Sequence, residues 1–271
     1  MSDPSNTSVR EFYAETYDES VPDWPGEIDF YQGLAAEARR RDESCIEIAC
    51  GTGRVAIRLA KEGTRTVGLD HSEPMLKVAR EKSKDLANIR WVLADMRHFD
   101  PGETFGLALI PGHAFHNLNT AQDQADCMAS IYNALKPGGR LVVHTDHMNK
   151  ENIAWLGDLV GEKGGVFEPA EQFRHAKTGQ LIKASHAWSY EPATQSVIEI
   201  IAWETVDEDG KVLHRLETHP TRLHALFRFE MEHILRGAGF EVEAVYGDFF
   251  RNPLVDESPS MVWMAKRPGI T

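Results

Sequence analysis

The stretch Glu47-Ile-Ala-Cys-Gly-Thr-Gly-Arg54 constrains the fold more than any other part of this chain. A short apolar run, Cys45 to Ile48, precedes it and reads as a buried strand. Val55-Ala-Ile-Arg-Leu-Ala60 follows with helical apolar spacing. A strand, a glycine turn and a helix make a corner suited to a nucleotide. Glycines at 51 and 53 allow a sharp turn and close approach of a ligand to the backbone.

Two nucleotide patterns fit this corner. Gly51-Thr-Gly53-Arg-Val-Ala56 matches the dinucleotide pattern G-x-G-x-x-A, with Asp70 as the ribose acid. Glu47 opposes that reading, because a carboxylate at the end of the first strand repels a pyrophosphate. It suits a ligand with a cationic amino-acid end. The spacing acid-x-small-x-Gly-x-Gly resembles motif I of the class I S-adenosylmethionine (SAM) methyltransferases. Ala49 stands where that family more often has glycine.

The resemblance continues along the chain. Thr66 to Asp70 reads as a second strand ending in an acid, and a carboxylate there can accept both ribose hydroxyls. His71-Ser-Glu-Pro-Met75-Leu76 opens a helix, with Ser72 as N-cap and Pro74 in the first turn. Ile89 to Met96 holds the third strand and its exit. Phe105 to Ile110 is a continuous apolar run, as a central parallel strand requires. Leu135 to Val143 reads as a helix end, a Pro-Gly-Gly turn and a fifth strand. The resemblance implies that Glu47, Ala49, Gly51, Gly53, Arg54, Asp70, His71, Met75, Asp95, Met96, Ile110 and Tyr17 form the cofactor site. In it Asp95 binds the adenine amino group and Met96 packs on the ring. SAM is the implied cofactor and S-adenosylhomocysteine (SAH) the product.

Alternating strands and helices argue for an α/β fold, a Rossmann-like parallel sheet with helices on both faces. Four segments are expected. Residues 1–40 form an N-terminal helical lid, with Phe12, Tyr13, Tyr17 and Tyr31 among its aromatic residues and Trp24 lining an entrance. Residues 41–160 form the cofactor-binding core. Residues 161–222 form an inserted antiparallel β cap, with a loop at 161–165 and strands at 180–190, 196–206 and 212–218. Residues 223–271 return to the core with a helix from His224 to Gly237 and two strands, an antiparallel pair. Trp188, Tyr190 and Trp203 are read mainly as the meander's own core, and as the wall of an aromatic acceptor pocket where they face the site.

Composition narrows the partners. A net charge of −13 disfavours nucleic acid, which needs a basic face. Arg39-Arg-Arg41 sits at a helix end, where it complements the dipole. No apolar run is long enough for a membrane span, and no basic-then-apolar leader is read at the start. A cytoplasmic protein, monomer or homodimer, with a small-molecule acceptor is expected. Cys45, Cys50 and Cys127 lack metal-like spacing and read as core residues.

A sulfonium methyl group needs no covalent enzyme intermediate, only a nucleophile held in line. A base is needed when the acceptor arrives protonated. His113 and His116 follow the fourth strand, and His144 and His147 follow the fifth. These four are the base candidates, with Tyr13 as a further catalytic candidate. Family members frequently read Phe-Leu-His-Leu where this chain reads Phe115-His-Asn-Leu118, a displacement by one position. His144-x-x-His147 with Asp146 is also a zinc or iron pattern, but loop residues do not set helical ligand geometry, and no metal is expected. Two other functions compete: a non-catalytic SAM-binding partner subunit and an NAD-dependent oxidoreductase. Preference for SAM or NAD, and turnover, separates them.

Overall fold

The computed structural model describes residues 4–161 and 167–269. The expected loop at 161–165 lies almost wholly outside the described residues. The chain divides into two compact units: residues up to Pro22 with Glu151–Ala225, and Asp23–Lys150 with Leu226 onward.

The larger unit is built on a seven-stranded sheet. Its strands are β1 (Cys45–Ile48), β2 (Thr66–Asp70), β3 (Ile89–Leu93), β4 (Phe105–Ile110), β5 (Leu135–Asp146), β11 (Glu241–Tyr246) and β12 (Ser260–Lys266). The order is β11-β12-β5-β4-β1-β2-β3. The pairs β1–β2, β2–β3, β1–β4 and β4–β5 are parallel, while β12 runs antiparallel to both β5 and β11. Strands β2 and β3 are added on one side of β1, and β4 and β5 on the other, and ligands bind at such a switch point, at the carboxyl ends of the strands. Every residue of β1, β2 and β4 is buried, as the apolar runs of β1 and β4 require. The Pro-Gly-Gly segment is absorbed into β5 and not set apart as a turn. Gly138 takes φ 81°, and the β4–β5 register shifts between Phe105 and Leu107 to accommodate the extra residues.

Helices cover both faces. α3 (Ala56–Lys61), α4 (Glu73–Lys82), α5 (Ala121–Ala134) and α7 (Arg228–Gly237) follow strands, and α2 (Glu27–Arg40) precedes β1. One core holds Ile46, Ile48, Phe105, Ile131, Leu235 and Trp263. The other, beside α2, holds Phe30, Tyr31, Leu34, Leu59, Val142 and Phe249. α7 begins at Arg228, four residues beyond the expected His224, which ends a strand of the other unit. The three cysteines are buried and free, and burial pushes the Cys45 thiol up to about 12.

The smaller unit is an antiparallel sheet with two helices. β6 (Glu168–Arg174), β7 (Leu181–Glu191), β8 (Ser196–Val206), β9 (Val212–Glu217) and β10 (Thr221–His224) form it, with order β10-β8-β7-β6. β9 shares an edge of β8 with β10, along Ala202–Val206, while β10 lies along Ser196–Glu199. α1 (Pro4–Ser20) lays Val9, Phe12 and Tyr13 against Ile182, Ala184 and Trp203. α6 (Lys150–Asp158) places Trp155 edge-on to Trp188, which stacks on His186. Trp203 is buried, whereas Trp188 and Tyr190 are half-buried. Among the described residues no helix is long and apolar enough to cross a membrane.

Candidate active site

The residues singled out in the glycine turn fold around two buried carboxylates. Glu47 is the third residue of the buried strand β1, and its Oε2 accepts the backbone N–H of Ala56 at 2.6 Å. It thereby satisfies one of the free donors at the start of α3. Burial pushes its carboxyl up to about 8, against the opposing pull of the Ala56 hydrogen bond and Arg54. Asp70, at the end of β2, accepts Gly51 N–H at 2.7 Å on Oδ2 and Ser72 N–H at 2.8 Å on Oδ1. One carboxylate thus ties the glycine turn to the start of α4. Ser72 stands at the N-cap of α4, but its side chain makes no capping bond.

Backbone strain marks the same turn. Ala49, Gly51 and Gly53 all take positive φ, at 54°, 54° and 78°. This is the region that favours glycine, and it explains why alanine at 49 is the unusual choice. The reason for Gly53 is packing: a Cβ there would meet the Trp91 ring at 2.4 Å and Ile57 at 3.1 Å. Gly68 serves the same ring, since a Cβ there would lie 2.2 Å from it. Trp91 is fixed in turn by its Nε1–H donating to Ser83 Oγ at 3.0 Å.

Asp95 follows β3 and is gripped by Arg97, whose Nε and Nη2 donate to its carboxylate at 3.0 and 2.6 Å. The Arg97 hydrogen bonds, foremost, hold the Asp95 carboxyl down at about 2. It is an ionised acceptor with 41% of its side chain exposed. Arg97 also bonds Asp123 of α5 at 2.7 Å. Met75 and Ile110 are buried, Met96 is partly buried on the core, and the His71 side chain is 75% exposed with Nδ1 3.6 Å from Asp70.

Arg54 leaves the turn toward α2. Its guanidinium donates to both oxygens of Glu27, at 2.6 and 2.8 Å, and to Asp23 at 2.6 Å. Glu27 is fully buried, so the pair is shielded from water. Glu27 Oε2 also accepts the Trp24 backbone N–H at 3.3 Å, and the guanidinium lies 5.7 Å from the Trp24 ring centre. Arg54 is therefore matched by carboxylates of its own protein. Asp23 and Glu27 carry no motif that singles them out in sequence. Their partner is distant along the chain, and only the fold joins them.

Three of the four histidines meet at the ends of β4 and β5. His113 Nε2 lies 3.1 Å from His144 Nε2, and His113 Nδ1 lies 3.2 Å from Asp146 Oδ1. His116 Nε2 accepts the Asp146 backbone N–H at 3.1 Å. Gly112 and His113 both take φ 61°, a left-handed pair that turns His113 back onto β5. Trp24 packs at 5.0 Å on both His113 and His144, and Phe249 packs at 4.8 Å on His144. Burial, above all, depresses His113 to about 4 and His144 well below the ordinary histidine value. Both rings are neutral near pH 7.

His147 stands apart. Its Nδ1 bonds the Ser258 carbonyl at 2.9 Å, which makes it a backbone-bonded loop histidine. Tyr13 packs on Trp203 and Tyr17, each at 5.6 Å, within the smaller unit.

Comparison with known proteins shows what this arrangement is similar to. Residues 45–139, which span β1 to the Pro-Gly-Gly segment, match a family model described as a methyltransferase domain. A Bacillus subtilis (strain 168) protein named as a methyltransferase, YqeM, is 27% identical over 245 residues, 89% of this chain and 90% of that protein. The glycine/sarcosine N-methyltransferase of Parasynechococcus marenigrum (strain WH8102) is 30% identical over 178 residues, 60% of this chain and 62% of that protein. In fold, the chain is similar to the CcbJ methyltransferase of Streptomyces caelestis, with a TM-score of 0.75 and 24% identity over 98% of this chain and 100% of that one.

Proposed function

We propose that this chain, a class I SAM-dependent methyltransferase, methylates an amine-bearing small molecule and uses the histidine cluster at the ends of β4 and β5 as its base. The observation that carries the second half is the contact of His113 with both His144 and Asp146. The match to a methyltransferase domain supports this over the oxidoreductase reading, and Glu47 places a carboxyl where a pyrophosphate would need hydrogen-bond donors.

The donor set fits SAM. A buried carboxyl pushed up to about 8 carries a burial penalty that a cationic amino-acid end would offset. Asp70 offers two oxygens already oriented by Gly51 and Ser72, with lone pairs left for ribose hydroxyls. Asp95 is held ionised as an acceptor suited to the adenine amino group. Met75, Met96 and Ile110 supply apolar surface beside it. When bound, SAM supplies a methyl group activated on a sulfonium.

The protein's own contribution is position and proton removal. Asp70 holds the turn at Gly51 and Glu47 holds the start of α3 at Ala56, so the cofactor loop loses little freedom on binding. The rings of His113 and His144 are neutral near pH 7, so the cluster can accept the proton that an amine nitrogen sheds as it gains the methyl group. Similarity to the glycine/sarcosine N-methyltransferase supports a nitrogen acceptor. The test is turnover of methyl-labelled SAM against panels of primary and secondary amines, phenols and carbon acids. Label transfer to amines, reduced in His113→Ala and His144→Ala but kept in His147→Ala, is expected. Transfer confined to phenols or carbon acids, or equal turnover in all three variants, would overturn the reading.

A further inference from the structure

The partners of the three clustered histidines favour one arrangement of their protons. His116 Nε2 accepts a backbone N–H, so the neutral ring carries its proton on Nδ1. Asp146 can only accept, and it lies 3.2 Å from His113 Nδ1, which draws the His113 proton to that nitrogen. His113 Nε2 is then a lone pair, and the His144 Nε2 that lies 3.1 Å away must be the donor. The remaining nitrogen, His144 Nδ1, is left as a bare lone pair. It is buried with no hydrogen-bond partner in the protein, on a side chain with no exposed surface. Leaving a buried polar atom unpaired is destabilising, and most buried polar atoms avoid it, so this lone pair calls for a reason.

We propose that Asp146, His113 and His144 form a proton relay in series, with His144 Nδ1 as the terminal base, and that the acceptor therefore carries a proton on its nucleophilic nitrogen. This rests on the methyltransferase reading above and names the atom that serves it. The acceptor nitrogen gains the methyl group and loses one proton, which goes to His144 Nδ1. The His144 Nε2 proton passes to His113 Nε2, and the His113 Nδ1 proton passes to the Asp146 carboxylate. The net result of the three transfers is one proton carried from the acceptor to Asp146, whose side chain is 40% exposed and can release it to water. No redox change occurs. Trp24 and Phe249, both carried on loops, cover the His144 ring, so an acceptor reaches Nδ1 by displacing one of these two. His113 and Asp146 are positioning residues: they set the tautomer of the ring that touches the acceptor. His113, His116 and Arg54 are the charged or titratable groups that act on His144, and Asp146 faces His113 and His116.

The test is long-range 1H–15N correlation of the histidine rings in the full chain at pH 7, with and without SAH. The rings are assigned through His113→Gln and His144→Gln. The expected result is neutral rings with His144 Nδ1 and His113 Nε2 unprotonated. Asp146→Ala should mix the two tautomers of His113 and, through it, those of His144, while His147→Ala changes neither. A proton on His144 Nδ1 in the wild-type protein, or a His144 ring unmoved by Asp146→Ala, would overturn the relay. Calorimetric titration of the same sample with SAH separates the two readings. SAH binding with the wrong tautomer sinks the relay alone, whereas no SAH binding removes the methyltransferase reading whatever the tautomers.

Discussion

Gly68 and Trp91 show how a single residue type can be required for a reason its motif conceals. The Trp91 ring fills the space above both Gly68 and Gly53. Gly68→Ala should therefore destabilise the protein by about 1–3 kcal/mol, the usual effect of overpacking a filled site. Denaturant unfolding would show this as a lower midpoint at unchanged slope, and an unchanged midpoint would mean that the ring has room to move. Ala49 gives the opposite case: with φ 54°, Ala49→Gly relieves a left-handed strain and should not destabilise. The acids Glu47, Asp70 and Asp95 were legible in sequence as strand-end carboxylates. Their partners were less so. That Asp70 binds the amides of Gly51 and Ser72 follows from the turn geometry, and that Arg97 grips Asp95 was unread, because neighbouring charges in a sequence do not disclose whether they pair.

At the scale of elements, the central strands were readable because burial on both faces leaves continuous apolar runs, as in β1 and β4. β6, β10 and α6 were not. β6 carries Glu168, Pro169, Glu171 and Gln172, and β10 is only Thr221–His224, so neither shows a clear alternation. The sequence reads α1 as a lid over the cofactor, while the contacts described for it are to β6, β7 and β8 of its own unit. Within the larger unit, the contact of Arg54 with Glu27 ties the cofactor turn to α2. Glu27→Ala leaves a buried guanidinium with only Asp23, and should cost about 3–5 kcal/mol. Replacing both Glu27 and Arg54 with Leu or Met should cost much less. If the double variant were as unstable as the single one, the pair would not be the cause.

For the whole molecule, two sets of buried groups shape the dependence of stability on pH. His113 and His144 have folded pKa values below the ordinary 6.5, with His113 at about 4. The unfolded chain binds protons that the folded one does not, so stability is lost as pH falls from about 6.5 toward 4. His113 alone contributes roughly 2–3 kcal/mol to that loss. Replacing both histidines with Asn or Gln should flatten the melting temperature over this window, and an unchanged slope would place the titration elsewhere. Glu47 acts in the other direction. With a folded value of about 8 it retains a proton that the unfolded chain has given up, so stability falls as pH rises from about 4.5 to 8. A cationic ligand end beside Glu47 favours the ionised form. SAH affinity should therefore rise between pH 6 and 8 in the wild type and stay level in Glu47→Gln.

The central claim is that the turn from Glu47 to Arg54, with Asp70, holds SAM and not a dinucleotide. The most direct measurement is calorimetric titration with SAH, and with NAD as control, on the wild type and on Asp70→Ala. The account predicts micromolar SAH binding to the wild type, weakened roughly a hundredfold by loss of the two ribose contacts, and no NAD binding. NAD bound in preference to SAH, or SAH bound equally by both proteins, would contradict it.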